Sequence, residues 1–112
     1  MFNKKSCESK KIIGLSDDRV DNVTELTGYN VQDEINQLEV ETGGLYFIPE
    51  YGVVRTEDVF DSSYGCGTRR MAKFEIVHSI CSFKNGTVTT AYIYDHYAAG
   101  GHRVYSIKEA EQ

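Results

Sequence analysis

Histidine and aspartate side chains in the C-terminal third are the first candidates for chemistry: His78, Asp95, His96 and His102. Both residue types bind zinc and transfer protons. Asp95 and His96 are adjacent in a predicted strand and point to opposite faces, so only one of them can join His78. His78, Asp95 and His102 would supply the minimum ligand set of a metal site, but ordinary hydrogen-bonded histidines are the favoured interpretation. We therefore expect no metal, no cofactor and no catalytic residue.

A second candidate is the glycine-rich segment 65 to 70, which contains Cys66, Thr68, Arg69 and Arg70. Converging backbone amides, the Thr68 hydroxyl and the two guanidinium groups, together with Arg103, could hold a phosphate or carboxylate. The segment lacks the glycine spacing and the Gly-Lys-Ser/Thr ending of a P-loop. Cys66 lies beside two arginines, but the sequence places no histidine to activate it as a nucleophile. The plain alternative is a connector whose arginines pair with acidic residues.

Charge is sorted by position along this chain. Residues 12 to 61 contain twelve Asp or Glu against only Arg19 and Arg55, although the whole chain has a net charge of only −5. An acidic surface attracts basic partners and repels nucleic acid and anionic membranes. We therefore expect a protein partner with a basic, nucleic-acid-binding surface, and no direct contact with nucleic acid or membrane.

The carboxylates expected to contact that partner lie on two predicted helices. They are Asp17, Asp18, Asp21, Glu25, Asp33, Glu34, Glu39 and Glu41. Such an array could imitate the spaced phosphates of a nucleic acid, and it contains few of the interspersed lysines that give an ordinary helix its i, i+4 ion pairs. The alternative is a solvated helix surface, which is usually charged.

Tyrosines form the second part of the expected partner surface. Tyr92 and Tyr94 share one face of a predicted strand, and tyrosine is enriched at interfaces because it buries a large area and keeps a hydroxyl group. Core packing is the alternative reading. If this second face of the sheet is not core, it could also form a homodimer.

Two helices are predicted before the sheet. The first runs from a cap at Ser16 to Gly28, and Val20, Val23 and Leu26 lie on one side of it. The second runs from an Asn30 cap to Gly43, with apolar residues at the i, i+4 and i+7 spacing. Those apolar residues are Val31, Ile35 and Leu38.

Extended segments follow the helices. Residues 45 to 48 and 53 to 55 flank a proline- and glycine-containing turn, whereas 56 to 60 favours a helical turn and 62 to 68 a loop. Residues 73 to 83 and 87 to 97 flank Asn85-Gly86, which favours a two-residue hairpin with Lys84 opposite Thr87. Residues 103 to 107 can add a fifth strand. The predicted fold is α+β, with two N-terminal helices packed on an antiparallel sheet of about five strands.

The 112-residue length, with 40 % hydrophobic residues, suits one domain over residues 12 to 112. Residues 1 to 11 are lysine-rich and predict a flexible basic tail. The odd number of cysteines argues against a disulfide framework, and no apolar run predicts a membrane span or signal peptide, so we expect a cytoplasmic protein.

In length and charge the chain resembles the small acidic inhibitors that phages and mobile elements encode against nucleic-acid enzymes. That group includes DNA mimics and inhibitors of CRISPR nucleases. The resemblance implies a non-enzymatic inhibitor or decoy that occupies a basic nucleic-acid-binding surface. The alternative is a binding domain for a phosphorylated or nucleotide ligand that uses Arg69, Arg70 and tyrosines, and a metal-dependent enzyme is the least favoured reading.

Overall fold

The architecture comes from a computed structural model, which describes residues 12, 15, 17 to 64, 67 to 94 and 100 to 110, without the side chains of 17 to 21 and 64. The sheet has six strands in the order β1-β6-β2-β3-β4-β5, and every paired neighbour is antiparallel. The elements are α1 (Asp17–Thr27), β1 (Tyr29–Glu34), a 3-10 helix (Gln37–Glu39), β2 (Leu45–Ile48), β3 (Gly52–Tyr64), β4 (Gly67–Ser79), β5 (Val88–Tyr92) and β6 (Tyr105–Glu109).

The predicted α+β fold with two helices is wrong. The described residues form mostly antiparallel sheet, with a single α-helix and one 3-10 turn. The predicted tail, residues 1 to 11, lies outside the described residues.

The first predicted helix is present as α1. Its buried side is narrower than predicted, because Val23 and Thr27 are buried whereas Leu26 is 54 % exposed. The Thr27 hydroxyl donates to the carbonyl oxygen of Val23. Gly28 ends the helix with a φ of 81°, a conformation that glycine adopts without steric cost.

The second predicted helix is replaced by β1 and the 3-10 turn. Tyr29 and Val31 are two positions apart, so they lie on the same face of the strand, and both pack against the core beneath α1. Asn30 does not cap a helix, since its side-chain oxygen accepts a hydrogen bond from the Thr24 hydroxyl at 2.7 Å. The capping box forms later, at Asn36 and Glu39, and closes only one turn. A spacing of i, i+4 and i+7 was therefore coincidental here.

The first hairpin is confirmed, because β2 pairs with β3 from Leu45–Arg55 to Ile48–Gly52. Gly52 has a φ of 123°, and a Cβ atom at this position would collide with the carbonyl oxygen of His78. Strand β3 then continues to Tyr64, so the predicted helical turn at 56 to 60 and the loop at 62 to 68 are wrong. Opposite charges lie directly across β3 and β4 at Asp61–Arg70, which favours the extended ribbon.

The second hairpin has a different register from the predicted one. Glu75 pairs with Val88, a shift of eight residues from the predicted pairing, because β4 ends at Ser79 and residues 80 to 87 form a loop. The Asn85-Gly86 turn does form, and the Thr87 amide donates to the carbonyl oxygen of Lys84 at 3.1 Å. Since eight is an even number, residues that share a face in the predicted Lys84–Thr87 register, such as Phe74 and Ala91, still share one face.

Two hydrophobic clusters lie on opposite faces of the sheet. The helix core, beneath α1, contains Ile12, Val23, Phe47, Val53, Ile80 and Tyr105. The inner core, on the other face, contains Val40, Ile48, Val54, Ala72, Phe74, Ile76, Ile93 and Val104. No helix among the described residues has both the length and the apolar character needed to cross a membrane.

The sheet curls around the inner core. Ile93, just after β5, forms a parallel bridge with His102, which precedes β6. The amide of Ile35, just after β1, donates to the carbonyl oxygen of Val104 at 2.9 Å. The cavity lined by the inner core has a volume of about 10 Å³, space for one water molecule at most.

Candidate functional site

Residues 33 to 41 carry the exposed carboxylates of Asp33, Glu34, Glu39 and Glu41. A bulge in the pairing of β1 with β6 lies between Val31 and Glu34. It is held by Ser106, whose hydroxyl accepts a hydrogen bond from the Asp33 amide and donates to the Asp33 carbonyl oxygen. Bulges re-aim side chains at sheet edges. The end of β1 therefore presents two successive carboxylates to solvent.

Thr56 fixes the end of this acidic segment. Its buried hydroxyl donates to the Glu41 carbonyl oxygen at 2.5 Å and accepts from the Gly44 amide at 3.1 Å. The Tyr46 hydroxyl accepts a further bond from the Glu41 amide at 2.9 Å. Val40 is buried in the inner core, so the exposed carboxylates on either side of it sit on an anchored backbone.

On the β3–β4 ribbon, several acidic residues have a basic partner across the strands. Arg55 pairs with Glu75 at 2.8 Å and Lys73 with Glu57 at 4.0 Å. In the acidic segment, Glu34 is paired with Arg103, whereas Glu39 and Glu41 have no ion-pair partner within the described part of the chain. The segment therefore keeps unpaired, exposed negative charge at Glu39 and Glu41.

Tyr92 and Tyr94 lie beside this segment, where the sheet closes. The Ile93 amide donates to the Arg70 carbonyl oxygen, whereas the backbone of His102 bonds with Tyr92 on one side and Tyr94 on the other. This alternation keeps residues 92 to 94 extended. Ile93 points into the inner core, so the side chains of Tyr92 and Tyr94 project from the opposite side of the strand.

Each of these tyrosines stacks with an arginine. The guanidinium carbon of Arg69 lies 4.8 Å from the ring centroid of Tyr92, and that of Arg103 lies 3.9 Å from the ring centroid of Tyr94. Arg103 also donates to Glu34 Oε2 at 2.7 Å. Burial opposes the charged form of Arg103, but the hydrogen bond to Glu34 and the electrostatic attraction of Glu34, Tyr94 and Tyr105 together outweigh it and raise the pKa of the guanidinium. Arg103 therefore joins the acidic segment to the tyrosines.

An open depression of about 310 Å³ lies at this junction. Its walls are Glu34, Ile35, Asn36, Gln37 and Tyr94. The carboxylates of residues 33 to 41, together with Tyr92 and Tyr94, are called the acidic-tyrosine surface below. Its members are Asp33, Glu34, Glu39, Glu41, Tyr92 and Tyr94.

Four other residues were predicted to bind the partner, and the structure describes the side chain of one of them, Glu25. Glu25 is exposed on α1, which packs over the helix core on the opposite face from Val40. The side chains of Asp17, Asp18 and Asp21 lie outside what the structure describes.

The predicted anion-binding residues do not converge. Arg69 and Arg70 are consecutive on β4 and so point to opposite faces of the ribbon. Arg70 pairs with Asp61 at 3.4 Å, and Arg103 pairs with Glu34. Thr68 is exposed near the ribbon end, and Cys66 lies outside the described residues.

The histidines are dispersed as well. His78 packs against Tyr29 with ring centroids 6.2 Å apart, whereas Nδ1 of His102 lies 2.9 Å from Glu50 Oε1. Asp95 and His96 lie outside the described residues. Among the residues that are described, no group of three or more His, Cys, Asp or Glu is arranged to hold a metal ion.

A polar-aromatic cluster that was not predicted from the sequence surrounds Tyr51. The Tyr51 ring contacts Phe74, Phe83 and His102 at centroid distances of 5.1 to 5.3 Å. The hydrogen bond with His102 lowers the pKa of Glu50, and burial raises the pKa of Tyr51. Glu50 and Tyr51 belong to a predicted turn, and no sequence pattern indicates that they contact His102.

Comparisons of this chain with protein-family models, with curated protein sequences and with solved structures find no match.

Proposed function

We propose that this protein is a non-enzymatic protein-binding module that engages a basic surface of a partner protein through its acidic-tyrosine surface. The observation that carries this proposal is the junction at Arg103, which places Glu34 and Tyr94 on one guanidinium group. The carboxylates attract a basic partner, and the tyrosines supply contact area of the kind that dominates protein interfaces.

The fold supports binding at this surface rather than inside the molecule. The inner core encloses only about 10 Å³, whereas the depression beside Tyr94 has about 310 Å³ and is open to solvent. Glu34 lines this depression, and Asp33, Glu39 and Glu41 are exposed in the same segment of the chain. A rigid sheet beneath the surface reduces the entropy that is lost on binding.

The partner function that fits such a surface is binding of nucleic acid. A protein that contacts phosphates does so with clustered Lys and Arg, and exposed carboxylates compete for the same groups. The module would then act as an inhibitor or decoy that occupies a nucleic-acid-binding site, without contacting nucleic acid itself. We place this activity in the cytoplasm, which the odd number of cysteines favours.

A matched charge-removal experiment tests the proposal. Tagged protein is used to capture partners from cell extract at low salt and at about 0.5 M salt, where exposed charge pairs are screened. We expect a basic nucleic-acid-binding protein that is retained at low salt, weakened at high salt, and lost with the D33N/E34Q/E39Q/E41Q variant.

The control removes four carboxylates elsewhere, in the variant E57Q/D58N/E75Q/E109Q, and so changes the net charge by the same amount. Retention of the partner by this control shows that position matters rather than total charge. Equal loss in both variants, or no stoichiometric protein partner at either salt concentration, would sink the proposal.

A further inference from the structure

The depression beside Tyr94 has walls suited to a planar cation. Glu34 offers a carboxylate, Asn36 and Gln37 offer amide groups, and Ile35 and Tyr94 offer apolar contact. No Lys or Arg is among the described residues that line it. A volume of about 310 Å³ is at the small end of the range for ligand sites in proteins.

The contacts of Arg103 show that Glu34 and Tyr94 can bind a guanidinium group. Its guanidinium donates to Glu34 Oε2 at 2.7 Å and stacks on the Tyr94 ring at 3.9 Å. It does so from outside the depression, because Arg103 is not one of the lining residues. Glu34 and Tyr94 therefore bind a guanidinium on one side while they also line an open space.

Both residues have capacity for a second cation. A carboxylate accepts hydrogen bonds at two oxygens, and the described bond from Arg103 uses Oε2. An aromatic ring attracts cations at either face, and Tyr94 both stacks with Arg103 and lines the depression.

We propose that this depression, called the socket, binds the side chain of one arginine on the partner protein. The guanidinium would donate to Glu34 Oε1, stack on the Tyr94 ring and reach the Gln37 amide oxygen. Arginine fits better than lysine, because its planar fork both stacks on a ring and bonds to a carboxylate. The inference rests on the proposed function, since the partner's basic surface would supply this arginine.

A titration with a single amino-acid probe tests the socket without the partner. The full chain, labelled with ¹⁵N, is titrated with Nα-acetyl-L-arginine amide and followed by amide chemical shifts. The control probe is Nα-acetyl-L-citrulline amide, which has nearly the same shape and no charge. We expect saturable shifts at Ile35, Gln37 and Tyr94 with the arginine probe only.

Two variants sharpen the outcome. E34Q preserves the shape and removes the charge, and we expect it to weaken arginine binding about tenfold, as for loss of one charge-assisted hydrogen bond. E75Q, on the ribbon, should leave binding unchanged. Saturable shifts centred elsewhere, equal shifts with citrulline, or no saturation would overturn the socket.

The two proposals fail separately. A socket that binds the arginine probe while cell extract yields no basic partner would contradict the proposed function alone. A captured basic partner with no response to the arginine probe would contradict the socket alone.

Discussion

Arg103 connects two parts of the chain that lie 69 residues apart in sequence, through its bond to Glu34. The sequence analysis assigned Arg103 to a possible anion site, and Glu34 and Tyr94 to a possible partner surface. In the folded chain these three residues form one unit. Patterns along a sequence indicate which side chains are exposed, but the contact across the closure of the sheet depends on pairing that only the folded chain provides.

The ionisation of Glu50 makes the stability of the fold depend on pH. The hydrogen bond with His102 lowers the pKa of Glu50 below 4.5, and partial burial opposes this shift. A carboxyl group whose folded pKa is lowered adds stability above its unfolded pKa, and that stability is lost as the pH falls through the folded value. Because the Glu50 side chain is 44 % exposed, the contribution is below about 1 kcal/mol.

We therefore expect Glu50→Gln to lower the free energy of unfolding slightly at neutral pH, and the difference from wild type to disappear as the pH falls below 4.5. Urea denaturation of both proteins over a pH series measures this difference. A gap of constant size from neutral pH to acid would show that Glu50 acts through packing and not through its charge.

At the scale of elements, residues 29 to 44 show why local patterns misled the prediction. The apolar residues Val31, Ile35 and Leu38 have helical spacing, yet Val31 packs on the helix core, Ile35 on the inner core, and Leu38 is 73 % exposed. Pairing with β6 outweighed the weak helix propensity of the segment. By contrast, α1 and the β2–β3 turn were predicted correctly, because Gly28 and the Pro49 to Gly52 turn act locally.

The backbone at the end of the acidic segment is held by the hydroxyl of Thr56. Thr56→Val keeps the shape of a buried side chain and removes the hydroxyl that bonds to Glu41 and Gly44. We expect a loss of about 1 kcal/mol in the free energy of unfolding, since two partly buried hydrogen bonds are lost while the Gly44 amide keeps its bond to the Glu41 carbonyl oxygen. Amide exchange in residues 41 to 44 should also become faster.

Thr90→Val is the matched control, because Thr90 is exposed on β5 and the same replacement there removes no buried hydrogen bond. Urea denaturation compares the two variants with wild type. If Thr56→Val and Thr90→Val unfold with the same midpoint, the hydroxyl of Thr56 does not hold the acidic segment.

At the scale of the whole molecule, the sorting of charge and the topology act together. The acidic half of the sequence supplies β1, the 3-10 turn and β3, and the other half supplies β4, β5 and β6. Pairing of β3 with β4 brings basic residues opposite many of the acids, as at Arg70–Asp61 and Lys73–Glu57. Among the carboxylates of residues 33 to 41, Glu39 and Glu41 have no ion-pair partner in the described part of the chain.

This arrangement was only partly predictable. The antiparallel sheet and the faces of Phe74 and Ala91 follow from alternation, which survives an even shift in register. The six-stranded order could not be derived, because β6 lies between β1 and β2, and no local signal indicates such a non-neighbouring pairing. The acidic character of the segment was visible in the sequence, but the pairing of Glu34 with Arg103 was not.

The most direct test of the account is hydrogen exchange of the protein free and in complex with its captured partner. A partner that binds the acidic-tyrosine surface should slow amide exchange in residues 33 to 42 and 92 to 94, and leave the ribbon at 57 to 73 unchanged. Slowed exchange confined to that ribbon or to α1, with residues 33 to 42 unaffected, would contradict the central claim.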